Sequence, residues 1–246
     1  MTGDSQRASP AILAVRADPA APADLASWPA TVPAVAQLLR DGLELPAGVT
    51  LLVGENGTGK STLIEILAEA CGLSPHGGSP LGRFEGPRGS APGIGASLVT
   101  ERAPGRPRWS YFLRADTMHG FYSYLAEHPG RAAEASFHQL SHGEGFLEIL
   151  RTRVSEPGFY LLDEPDSPLS FVACLGLLAL LHELAAAGSQ VVVATHSPLL
   201  AALPGAQILE LGDWGIRPVS WQQLEMVRHW RQFLADPGSY FRHLLS

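Results

Sequence analysis

Lysine is almost absent from this chain. Of its 17 lysine and arginine residues only Lys60 is a lysine. The abundance of Ala, Gly, Pro and Arg fits a GC-rich coding bias, which favours Arg, so a lone Lys marks a place that needs a compact ammonium on a flexible stem. Cysteine is scarce too. Cys71 and Cys174 are the only two and both sit in apolar helical contexts. That excludes a disulfide scaffold or a thiolate metal site and points to buried thiols in a reducing compartment. Charged residues make up 17% of the chain, with a net charge of −7. This argues against a broad nucleic-acid-binding surface, though not against a local patch. No apolar run is long enough for a bilayer, which takes about 20 residues. The longest, Phe171 to Leu181, is followed at once by His182 and Glu183. The N-terminus carries Asp4 and Arg7 and lacks the apolar core of a signal peptide, so a cytoplasmic location is expected. There are no internal repeats and no heptads.

What is present is enough chain, 246 residues, for one large α/β domain spanning 1–246, with 1–10 expected to be disordered. Ala11 to Val15 reads as a strand, 17–34 as an Ala/Pro-rich loop carrying Trp28, and Val35 to Leu39 as a short helix. Residues 74–95 form a Gly/Pro/Ser-rich loop. The pattern predicts a hairpin from Ala96–Thr100 and Trp109–Leu113, its first strand and turn falling in a Gly/Pro/Arg-rich insertion at 74–108. Helices are expected at 117–138, Phe146–Val154, Phe171–Ala187, Trp221–Leu234 and Tyr240–Leu245. Buried strands are expected at Phe159–Leu162 and Gln190–Thr195, and a strand pair at Gln207–Leu211 and Ile216–Val219. Strands alternating with helices imply a mostly parallel sheet covered on both faces.

The chain is organised around Gly54-Glu55-Asn56-Gly57-Thr58-Gly59-Lys60-Ser61-Thr62, which fits G-x-x-x-x-G-K-[ST]. Val49 to Val53 before it is a buried-strand pattern. Leu63, Ile64, Leu67 and Ala68 after it recur at helical spacing. Strand, glycine loop and helix form a phosphate cradle: glycines let backbone N–H groups turn inward, and the helix N-terminus adds its positive dipole end. Lys60 is expected to reach the β- and γ-phosphates, and the Ser61 hydroxyl to ligate Mg²⁺.

Phe159-Tyr160-Leu161-Leu162 runs into Asp163-Glu164. A strand end of this kind delivers Asp163 to Mg²⁺, and Glu164 to a water aimed at the γ-phosphate. His196 ends the next strand, at the edge where open α/β sheets bind ligands, which suggests γ-phosphate contact. Six arginines against two glutamates lie between Arg83 and Arg114. A solvated loop is the plainer account of them, and a phosphate- or partner-contacting patch the other. Leu140-Ser141-His142-Gly143-Glu144 opens a helix with Ser141 as N-cap.

Phosphate loop, Leu140–Glu144, Asp163-Glu164 and His196, in this order and spacing, resemble an ABC-type ATPase domain over roughly residues 28 to 200. More narrowly, Phe112-Leu113-Arg114-Ala115, Ser141-His142-Gly143-Glu144 and the tail from Tyr240 to Leu245 resemble a group of small stand-alone bacterial ATPases, loosely named AAA family ATPases. The resemblance implies a P-loop NTPase fold with an antiparallel β subdomain, bound ATP and Mg²⁺, and an ATP-dependent homodimer. In that dimer two ATPs are sandwiched head to tail, and Ser141 and the Gly143 backbone contact γ-phosphate in trans. Trp28 would stack on adenine. The chain departs from the family at His142, usually Gly, and at Glu144, often Gln. Arg114-Ala115-Asp116 stands where a Q-loop glutamine is expected. Ser167-Pro168-Leu169-Ser170 lacks the inter-subunit aspartate.

The expectation is therefore a soluble ATPase whose ATP-driven dimerisation moves something other than a solute, with an unknown protein partner. The alternatives are the nucleotide-binding subunit of a transporter, a DNA-repair or defence ATPase, and a switch that hardly hydrolyses. Neither a membrane permease nor nucleic acid is indicated by the residues.

Overall fold

A computed structural model describes residues 10–78, 93–104, 109–114, 147–148, 150–152, 154 and 156–244. The expectations for 1–9, for the helix at 117–138, and for Ser141 and Gly143 lie outside these residues, as do Ala115, Asp116 and four of the six arginines of the basic segment.

In chain order the elements are β1 (Ile12–Ala17), α1 (Pro33–Asp41), β2 (Leu43–Glu44), β3 (Gly48–Val53), α2 (Lys60–Ala70), β4 (Leu98–Arg102) and β5 (Ser110–Arg114). There follow β6 (Phe159–Asp163), α3 (Phe171–Ala186), β7 (Gln190–Thr195), β8 (Gln207–Gly212), β9 (Gly215–Pro218), α4 (Glu225–Ala235) and α5 (Pro237–Leu244). Residues 147–148 and 150–152 are also helical. None of the described helices is long and apolar enough to cross a membrane.

Among the described residues the main sheet has the order β5-β6-β7-β3-β8-β9, parallel except for β9. Its strands are apolar on both faces because both faces are covered. Side chains alternate. Leu52, Leu161, Val192 and Ala194 pack with α1 and α2. Leu51, Val53, Tyr160, Leu162, Val191 and Val193 pack with α3 and the start of α4. Cys71 and Cys174 are buried free thiols, as expected.

The expected antiparallel element exists but is built differently. β4 does not pair with β5. It pairs antiparallel with β1, and β2 covers the other edge of β1, giving a separate three-stranded sheet. β5 joins the main sheet, parallel to β6. The sequences carry the reason: Leu98–Arg102 is half exposed and ends in charge, whereas Ser110–Arg114 is buried at Ser110, Phe112 and Leu113. A turn signal between two strand-like runs does not fix which sheet each one joins. A smaller correction concerns the helix expected from Trp221. Ser220 and Gln223 form a capping box around a single 3₁₀ turn, and α4 starts only after Leu224, at Glu225.

Gln190 joins the two sheets. Its amide Oε1 accepts from Ile12 N at 2.9 Å, and its Nε2 donates to Ile12 O and to Leu45 O, both at 2.8 Å. The side chain is 2% exposed, so its removal strands these backbone groups away from water. Gln190→Leu should cost about 2–4 kcal/mol, since each orphaned buried group costs roughly 1–3. For a chain of this size that is a fall in melting temperature on the order of 5–12 °C by circular dichroism. A fall under about 2 °C would show that the clamp is replaceable.

Candidate functional site

The register of three strands assembles the site. Val53 at the end of β3 lies beside Thr195 at the end of β7, and Asp163 at the end of β6 lies beside Ala194. The loops after β3, β6 and β7 therefore leave the sheet at one edge, carrying Gly54 to Gly59, Glu164 and His196.

Gly57 and Gly59 adopt φ of +86° and +92°, a region that costs an L-residue with a Cβ. At Gly59 space is short as well, because a Cβ there would lie 2.5 Å from the Val32 Cγ1. No side chain caps α2, so the backbone N–H groups of its first turn are not consumed by a cap. Lys60 opens that helix and is buried. Its Nζ donates to the Glu55 carbonyl at 2.9 Å and stands 4.0 Å from Glu164 Oε1. Burial lowers the Lys60 pKa, while Glu164, Asp163 and Asp166 oppose the shift.

Ser61 Oγ donates to Asp163 Oδ1 at 3.1 Å. Burial pushes the Asp163 carboxyl up to about 6, against the pull of the Ser61 hydrogen bond and of Arg114. Glu164 is the one described non-glycine residue with positive φ, +48°. Such a conformation costs on the order of 1 kcal/mol or more and is found where a side chain must be aimed. Its N–H donates to Ala194 O at 2.9 Å, and its carbonyl accepts from Ser167 N at 3.1 Å. The carboxylate so aimed lies 3.1 Å from His196 Nδ1.

Lys60, Ser61, Asp163, Glu164 and His196 are thus brought together. Trp28 is not shown joining them: it is 72% exposed on the loop before α1. That loop reaches the phosphate loop at Val32.

Sequence reasoning gave no role to Arg114 or Ser170, which it met only as departures from the family, and missed Asp166 and the cleft beside the phosphate loop. Arg114, paired in register with Asp163, ion-pairs with Glu65 of α2 at 2.5 Å. Asp166 accepts from Thr195. The signal was legible only as a charge beside a motif. Ser170, at the position of the missing aspartate, caps α3 by accepting from Ala173 N. Beside the phosphate loop, on the β8–β9 flank, a cleft of about 340 Å³ is lined by Asn56, Gly57, Thr58, Asp213, Trp214 and Met226.

Among the described residues no cluster of three His, Cys, Asp or Glu side chains is arranged to hold a metal. The Ser61–Asp163 pair does fit Mg²⁺, which is usually held by one or two protein oxygens together with substrate phosphates.

Strand, glycine loop, uncapped helix and a neighbouring acidic strand end define a P-loop NTPase. Comparison with known proteins narrows the class. A family model described as "AAA domain, putative AbiEii toxin, Type IV TA system" matches residues 49–143. The cytochrome c biogenesis ATP-binding export protein CcmA of Rhizobium etli is 31% identical over 198 residues, 70% of this chain and 89% of that protein. The CcmA of Paramagnetospirillum magneticum is 28% identical over 203 residues, covering 71% and 87%. The solved SMC head domain from Thermotoga maritima is similar at 18% identity and a TM-score of 0.42, over 73% of this chain and 93% of that one. The chain belongs to the ABC-type ATPases of the P-loop NTPase superfamily.

If Ser61 and Asp163 form the cation's protein ligands, Ser61→Ala should shrink the gain in ATP affinity that Mg²⁺ gives over EDTA by about tenfold or more, a loss on the scale of one ligand interaction. Titration calorimetry measures both affinities. An unchanged Mg²⁺ effect would remove Ser61 from the ligand set.

Proposed function

We propose that this chain binds Mg-ATP at the 54–62 loop and hydrolyses it, with Glu164 as general base. The carrying observation is the aim of Glu164. A backbone held at φ +48° points its carboxylate to 3.1 Å from His196 Nδ1 and 4.0 Å from Lys60 Nζ. The same edge carries the glycine loop and Asp163.

In this reading the loop N–H groups from Gly57 to Thr62 bind phosphate oxygens, and Lys60 exchanges the Glu55 carbonyl for the β- and γ-phosphates. Ser61 and Asp163 hold Mg²⁺, which supplies positive charge where charge develops on the transferring phosphoryl group. Glu164 accepts the proton of the attacking water. With its Nδ1–H donated to that carboxylate, His196 steadies the base and leaves Nε2 for the γ-phosphate side. Trp28 is proposed to stack on adenine, on the strength of its exposure and of the contact between its loop and the phosphate loop at Val32. The family's head-to-tail dimer, with Ser141 and Gly143 completing the partner's site, is proposed on the resemblance alone; a single domain over 1–246 is proposed on length and a cytoplasmic setting on the N-terminal residues and the short apolar runs.

A second reading is favoured by the relatives. Two of them are named as ATP-binding export proteins and match most of this chain. Under it the chain is the ATP-binding subunit of an export complex. Arg114 in place of the Q-loop glutamine and Ser170 in place of the inter-subunit aspartate speak for a different coupling, and so for a partner other than a permease.

Glu164→Gln tests both readings. It should bind Mg-ATP with near-normal affinity and lose about 10² or more in turnover, the usual worth of a positioned base. It should also gather as an ATP-bound dimer by analytical ultracentrifugation. Integral membrane proteins copurifying with it in ATP would select the export reading. Near-normal hydrolysis would sink the base assignment, and a monomer at saturating ATP would sink the sandwich.

Lys60→Ala should leave the fold intact and weaken ATP binding at least a hundredfold, about 2.7 kcal/mol of lost phosphate contact. Calorimetry reads this directly. Unchanged affinity would refute the cradle.

A further inference from the structure

Asp166 is a buried carboxylate to which the steps above give no task. It sits on the loop leaving β6, 8% exposed. Buried charge persists only with a partner. Its partner is Thr195, the fully buried last residue of β7, whose Oγ1 donates to Asp166 Oδ1 at 2.8 Å. The same hydroxyl oxygen accepts from Ser197 N at 3.0 Å. One hydroxyl therefore joins the carboxylate on the Glu164 loop to the backbone just past His196.

The surrounding contacts leave these two loops little freedom. Glu164 is tied through its N–H to Ala194 O, and the Asp166 carbonyl accepts from Leu169 N at 2.9 Å. His196 lies between Thr195 and Ser197, both held by the same hydroxyl. Glu164 lies between its own tie to β7 and the Asp166 anchor. What this arrangement sets is the separation of the Glu164 carboxylate and the His196 ring.

We propose that Asp166 is a positioning residue for hydrolysis, acting through Thr195 to lock the Glu164–His196 pair in its hydrogen-bonded geometry. The proposal rests on the reading of Glu164 as base. Its alternative is a satisfied polar pair that merely stabilises the loop junction. A stabilising pair would alter melting temperature, whereas a positioning pair alters turnover at constant substrate binding.

The test is steady-state ATP hydrolysis and ATP affinity for the full chain carrying Asp166→Ala, Asp166→Asn, Thr195→Val, Thr195→Ser, or Asp166→Ala with Thr195→Val, with Glu164→Gln as the reference. Asp166→Ala and Thr195→Val should lower kcat by about ten- to a hundredfold, the scale expected of a misplacement near 1 Å. KM and ATP affinity should stay within about threefold, as for loss of an interaction that matters only in the transition state. Asp166→Asn and Thr195→Ser keep an acceptor and a hydroxyl, and should stay within about fivefold of the parent in kcat. The double variant should be no worse than the weaker single, because both remove one bond.

Unchanged kcat in Asp166→Ala and Thr195→Val, in a parent that is active and sensitive to Glu164→Gln, overturns the proposal and leaves the base intact. So does equal damage from the conservative and the disruptive variants, or additive losses in the double. If Asp166→Ala fails to fold, the near-isosteric Thr195→Val decides alone, against Thr195→Ser. A parent indistinguishable from Glu164→Gln removes the hydrolysis reading itself, and the positioning role with it.

Discussion

Parallel register at one sheet edge is the constraint on which the rest of this molecule depends. β3, β7 and β6 end level with one another, Val53 beside Thr195 and Ala194 beside Asp163. A slip by one residue would turn every side chain to the opposite face, and both faces are packed with apolar side chains from different helices. The register is therefore fixed by the core, not by the site. The glycine loop, the acidic strand end and the histidine inherit their proximity from it. The strand between β3 and β6 also sets a spacing: Asp163 reaches Ser61 across β7, at hydrogen-bond distance.

Electrostatics at this edge are arranged around one buried ammonium. Lys60 is 4% exposed, and its one hydrogen-bond acceptor among the described residues is a neutral carbonyl, Glu55 O. A buried cation so lightly paired is held up by acids further out: Glu164 first, then Asp163 and Asp166. Asp163 and Asp166 are themselves disfavoured by burial, Asp163 to the extent that its carboxyl rises to about 6. A site with this distribution gains when phosphate oxygens satisfy the lysine and a divalent cation satisfies the carboxylates. The strain stored in the Glu164 backbone belongs to the same economy, since the residue that costs conformational energy is the one whose carboxylate faces both Lys60 and His196.

The glycine loop was legible because its chemistry needs particular residues at adjacent positions, and the strands because two-sided burial writes continuous apolar runs such as Val191–Ala194. Partner choice was not legible. Leu98–Arg102 and Ser110–Arg114 flank a turn signal, yet their pairing is decided by distant strands, Ile12–Ala17 and Phe159–Asp163. The Asp166–Thr195 bond and the Gln190 clamp had the same obstacle, for each joins residues far apart in sequence through side chains that carry no motif. Trp28 shows the converse. It could be named from family resemblance, but a residue 72% exposed on a loop has no packing that fixes its role.

Family membership sets the chemistry more firmly than the work it drives. In any ATPase whose hydrolysis does work elsewhere, some element must carry the difference between nucleotide states away from the γ-phosphate edge. The end of β5 is placed to do so, since Arg114 lies in register with Asp163. A neutral amide there would be free to turn toward metal, water or partner. Arg114 is instead bonded to Glu65 at 2.5 Å and to Pro75 O at 3.1 Å. It fastens the end of β5 to α2, the helix that begins with Lys60, and its positive charge favours the ionised form of Asp163. Movement of the phosphate-binding helix would then drag this strand end with it as a unit. A rigid coupling of α2 to the β5 edge thus stands where a switching side chain would otherwise lie between them.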